Sequence, residues 1–67
     1  MSDKIKVSLE VLEGLETIRE SGELNMFDYL GVMRLAQELR YKETDEWLQN
    51  NKDAYAQGIF KGFEEER

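Results

Sequence analysis

The sequence predicts an all-α protein, a compact bundle of three to four helices, with dimerisation as one way to complete it. Three observations lead there. Apolar residues recur at helical spacing in successive segments. No alternating run is long enough for a strand, although Ile5–Leu9 can be extended. Proline is absent, and Gly22 and the Asn50–Asn51 pair stand where helices would stop.

The first helix is predicted over 9–21. Ser8 suits the N-cap, with Glu10 in the first turn. Val11, Leu12, Leu15 and Ile18 follow at helical spacing, Arg19 falls in the last turn, and Gly22 stops the helix. Leu24 is placed to make the apolar contact of a Schellman ending.

The second helix is predicted over 26–40, with Asn25 as cap and Asp28 completing a capping box in place of the usual Glu. Tyr29, Val32, Met33 and Ala36 form one stripe, with Leu35 and Leu39 beside it, and Met26 and Leu30 widen it past half the circumference. So broad an apolar arc belongs to a central helix or to one buried against another chain.

A short third helix is expected over about 43–49, anchored by Tyr41, Trp47 and Leu48. A fourth is expected over 52–64, with Tyr55, Ala56, Ile59, Phe60 and Phe63 on one face. Gly58 and Gly62 lie at the edge of that face. Each costs a helix about 1 kcal/mol relative to Ala, so either something approaches the backbone closely there or Gly62 marks fraying. The expected core is Val11, Leu15, Ile18, Leu30, Met33, Ala36, Trp47, Leu48, Ile59 and Phe60. The whole chain, 1–67, reads as one domain, with 1–7 and 65–67 frayed.

Composition limits the chemistry. The chain has 67 residues without Cys or His, so disulfides and a Cys/His zinc site are excluded, and no cofactor or metal is expected. A single core of this size supplies only about 3–5 kcal/mol, which makes self-association a plausible reinforcement. No run resembles a signal peptide or a membrane span, which points to a cytoplasmic protein and away from a membrane. Nine basic against fifteen acidic residues, net −6, argue against nucleic acid as a direct ligand and permit a basic protein partner. A helix-turn-helix is conceivable in outline, but its recognition helix would carry Glu43, Asp45 and Glu46 against phosphate.

The segments IRESGELNMFD (Ile18–Asp28), LAQEL (Leu35–Leu39), EWLQNN (Glu46–Asn51) and YAQGIFKGFE (Tyr55–Glu64) are distributed between Ile18 and Glu64. From Val11 to Glu64 the sequence resembles a family of very short proteins of unknown function encoded by phages, prophages and some archaeal elements. The resemblance implies a mobile-element origin and transfers no catalytic or binding residue. Arg40 departs from the pattern, which has Gly before the Tyr and so a left-handed helix ending there.

Three functional readings follow. Catalysis would have to use carboxylates, Lys, Tyr, Ser or Thr; the carboxylates are spread over solvent faces, no Gly-rich phosphate loop precedes Lys-Ser/Thr, and no Asp-x-Asp calcium loop is present, so no enzyme is expected. An acidic face is the second reading. Glu10, Glu13, Glu16 and Glu20 fall on one side of the first helix, away from Val11, Leu15 and Ile18; the stripe is either an ordinary solvated face or a docking surface for a basic protein. The third is an aromatic and methionine surface. Met26, Phe27, Tyr29, Trp47, Tyr55, Phe60 and Phe63 are many large groups for one small core. Most must be core, and an excess exposed on one face, with Trp47, Tyr55, Phe63, Gly58 and Gly62 as the expected contacts, would serve a homodimer. The expected function is a protein-binding module, a phage-type regulator or inhibitor of a host protein whose identity the sequence leaves open. The alternative is a structural or assembly accessory of the element.

Overall fold

The structure, a computed structural model, describes residues 3–66. Four helices are joined by a two-stranded parallel sheet, in the order β1 (Ile5–Val7), α1 (Leu9–Ser21), α2 (Tyr29–Glu38), α3 (Lys42–Asn50), α4 (Lys52–Lys61) and β2 (Phe63–Glu65). The protein is mainly helical as expected, and the sheet is a correction. Ile5 pairs with Phe63, Lys6 with Glu64 and Val7 with Glu65. The bonds Ile5 N–H to Gly62 O (2.9 Å) and Glu66 N–H to Val7 O (2.7 Å) close both ends of the ladder. Segments 5–7 and 65 are therefore paired rather than frayed, and the fourth helix ends at Lys61 rather than at 64. The physical reason is burial: Val7 is 2 % exposed and belongs to the core, with Ile5 and Phe63 packed against it. The fraying expected at Met1, Ser2 and Arg67 lies outside the described residues.

α1 follows its local signals. Ser8 Oγ accepts from Val11 N–H, and Gly22 ends the helix with φ 67°. Leu24 then packs against the core. α2 starts three residues later than expected. Asn25 does not cap it: its Oδ1 accepts from Phe27 N–H (2.9 Å) and its carbonyl from Asp28 N–H (2.9 Å), which makes a turn. Asp28 is the cap, its side chain accepting from Gly31 N–H at 3.0 Å. Met26 is held in the turn because its carbonyl accepts the Tyr55 hydroxyl at 2.6 Å.

The end of α2 keeps the left-handed conformation although Arg40 occupies it, with φ 64°. Tyr41 N–H bonds to Ala36 O (2.9 Å) and Arg40 N–H to Gln37 O (3.1 Å), the paired bonds of a Schellman ending. A Cβ in this region costs about 1–2 kcal/mol. Arg40→Gly is therefore expected to stabilise the protein by about 1 kcal/mol, raising Tm by roughly 4–8 °C in a thermal melt. An unchanged or lower Tm would show that the Arg40 side chain compensates its backbone strain through contacts of its own.

At the end of α3, Asn50 and Asn51 donate from their side chains to Glu46 O and Trp47 O, 2.9 and 3.0 Å. This satisfies the last carbonyls and lets α4 begin at once. The core comprises Val7, Val11, Leu15, Ile18, Val32, Leu35, Ala36, Leu48 and Tyr55, with Met33, Trp47 and Ile59 packed against it. Two expected core residues face outward: Leu30 is 68 % and Phe60 79 % exposed. Tyr29 and Val32 take the inward direction of α2, which turns Leu30 away. Phe63, returning on β2, covers the inner face of α4 at Gly58, where the ring atoms lie 2.2 Å from the place a Cβ would occupy. Phe60, two residues on from Gly58 and so about 200° round the helix from it, faces solvent.

Candidate functional site

The structure separates the expected site residues into two groups. Trp47, Tyr55, Gly58, Gly62 and Phe63 belong to the interior or to its edge. Tyr55 is 1 % exposed and cannot present a surface. Its ring lies 5.9 Å from both Tyr29 and Phe63, and Trp47 meets Phe63 edge-on at 6.0 Å, so these aromatics pack on one another across the core and its edge. The Tyr29 hydroxyl donates to Leu48 O. Gly58 is buried beneath Phe63, and Gly62 ends α4 with φ 93°. Both glycines thus have intramolecular reasons, and the expected aromatic contact surface is corrected at Tyr55, which is buried, while Trp47 and Phe63 are half-buried.

The Tyr55 phenol is pushed up from 10.0 to about 12, first by burial and then by the Asp28 carboxylate. The folded state thus holds the proton more tightly than the unfolded one. Stability from this group is complete below pH about 10 and falls as pH rises from about 10 to about 12, by roughly 2–3 kcal/mol. Chemical denaturation of wild type and Tyr55→Phe across that range checks this: the wild type is expected to lose stability relative to the variant. Parallel pH profiles would show that the phenol ionises freely in the folded state.

The acidic residues form the second group. Glu10, Glu13, Glu16 and Glu20 are all exposed. They are not one unbroken stripe. Glu10 sits at the α3 side of α1, lining a recess with Arg40, Tyr41, Lys42, Glu43 and Thr44, and its carbonyl accepts the Thr44 hydroxyl at 3.4 Å. Glu16 stands on the other side, at the rim of a groove against α4 and β2. Angular position on α1 therefore leaves Glu13, Glu16 and Glu20 as the face turned away from the core, with Glu10 off its edge. Among the described residues no group of three or more His, Cys, Asp or Glu is arranged to hold a metal ion, and no helix is long and apolar enough to cross a membrane.

Of the seven aromatic and methionine residues considered for a surface, Phe27 and Phe60 are the exposed ones. Phe27 is 62 % exposed and meets Phe60 edge-to-face, ring centroids 5.7 Å apart. Helical spacing alone places Phe60 in the core. The signal that could have redirected it is Gly58 four residues before Gly62, a pocket in the helix surface that Phe63 can fill.

Fold and surface together define a small, mainly helical domain whose chemistry-bearing groups are outward carboxylates and an exposed aromatic pair. The chain belongs to the family described as Domain of unknown function (DUF5049), whose model matches residues 1–63. No curated protein and no solved structure matches it.

Proposed function

We propose that this chain is a small acidic protein-binding module, not an enzyme, and that it regulates or inhibits another protein by docking on a basic surface. The observation that supports this most is the outward face of α1. Glu13, Glu16 and Glu20 are exposed on successive turns of a helix capped at both ends, within a chain of net charge −6. Like charges three and four residues apart cost a helix a few tenths of a kcal/mol per pair. A basic partner turns that cost into attraction and faster encounter. The mobile-element origin that the resemblance implies makes the partner a host protein, met in the host cytoplasm.

The test is capture from host lysate on the immobilised wild-type chain and on a Glu13→Gln, Glu16→Gln, Glu20→Gln variant. The variant is expected to fold as the wild type does and to gain a few tenths of a kcal/mol in denaturation. One basic protein held stoichiometrically by the wild type and lost by the variant supports the proposal. Equal retention by both contradicts the role of this face, and recovery only of proteins encoded by the same element favours the accessory role.

A further inference from the structure

We infer that two copies of this chain associate through the face that carries Phe27 and Phe60, with Phe60 of each copy entering a groove of the other. The groove runs between α1, α4 and β2, is walled by Leu12, Leu15, Met26, Ile59 and Phe63, and holds about 150 Å³. An apolar cavity of that size accepts one benzene-sized ring. The ring to fill it stands next to it. Met26 and Ile59 line the groove, and the residues that follow them in the chain, Phe27 and Phe60, form the exposed edge-to-face pair.

A projecting ring and a ring-sized groove side by side on one molecule are self-complementary under a two-fold axis: each ring meets the other copy's groove, and the interface closes at two. Size is also consistent. Phe27 and Phe60, 62 % and 79 % exposed, offer together roughly 280 Å² of a ~200 Å² ring-bearing side chain each. Doubled over two copies, that is about a third of the ~1,600 Å² of a standard specific interface, with the groove walls and rim to supply the rest.

This goes beyond the acidic-face reading, and either can fail alone, because the experiment uses the chain by itself. Sedimentation equilibrium of the full chain from micromolar to submillimolar concentration is expected to show 7.9 kDa species passing into dimers of twice that mass. Salt is expected to strengthen the dimer, since each copy carries −6; binding to a basic partner responds to salt in the opposite sense. Phe60→Ser changes an exposed residue, so the helical circular dichroism should be unchanged while association weakens at least about tenfold. In a mixed isotope-labelled sample, intermolecular NOEs should connect the Phe60 ring with the Leu12 and Ile59 methyls. A monomer throughout the concentration range overturns the inference, as does a dimer that Phe60→Ser leaves intact or one lacking those NOEs.

Discussion

A Gly14→Ala variant is expected to lose about 3 kcal/mol of stability, most of what a domain of this size holds. Helix propensity alone predicts the opposite, a gain of about 1 kcal/mol for replacing a helical glycine with Ala. Packing decides the sign. Gly14 is buried where α1 meets α3, and a Cβ there would lie 2.1 Å from Thr44 Oγ1 and 2.9 Å from Thr44 Cβ. Thr44 is 0 % exposed and donates to Glu10 O, so it has no free direction in which to move. Urea denaturation followed by helical circular dichroism measures the loss. A midpoint equal to or above wild type would mean that α1 and α3 do not approach this closely.

Gly58→Ala is the second variant with a large expected effect, about 2–3 kcal/mol. The added Cβ would stand 2.2 and 2.3 Å from two Phe63 ring atoms. The ring cannot swing aside cheaply, because Tyr55 stacks on one side of it and Trp47 meets it edge-on. Displacing Phe63 also pulls on β2 and its pairing with β1. Phe63→Leu alone shortens the side chain and destabilises by leaving space beside Tyr55. Combined with Gly58→Ala, it should relieve the clash, so the double variant should be at least about 1 kcal/mol better than the sum of the single losses. Strict additivity in the denaturation cycle would show that Gly58 and Phe63 are not in contact.

These two glycines also show what the sequence carries and what it does not. α1 was legible from end to end because its signals are local: Ser8 caps, Gly22 stops, and the apolar spacing between them fixes the inward face. The outward carboxylates Glu13, Glu16 and Glu20 were legible for the same reason. The start of α2 was ambiguous, since Asn25 and Asp28 are both competent caps; the choice falls to Tyr55, whose hydroxyl holds the Met26 carbonyl from twenty-nine residues away. The sheet was hidden because each strand has three residues and their pairing joins opposite ends of the described chain. With Phe63 packed on Gly58, the inward face of α4 is Tyr55, Gly58 and Ile59, and the helix step of about 100° per residue then carries Phe60 outward. The apolar spacing of α4 places Tyr55 inward but does not choose between this face and one centred nearer Phe60. Arg40 is the reverse case: the departure from glycine put the helix ending in question, and the backbone keeps that ending nonetheless, at the cost of strain.

The acidic face of α1 is the part of the functional account that kinetics can test residue by residue. The decisive measurement is the association rate of the captured basic partner with the wild-type chain and with the Glu13→Gln, Glu16→Gln, Glu20→Gln variant, over a series of salt concentrations. Steering by exposed charge predicts that the wild-type rate falls steeply as salt screens the face. It further predicts that the variant associates more slowly at low salt, with a flatter dependence and a nearly unchanged dissociation rate. If both chains associate at the same rate across the whole series, the carboxylates of α1 are a solvated face and do not guide binding.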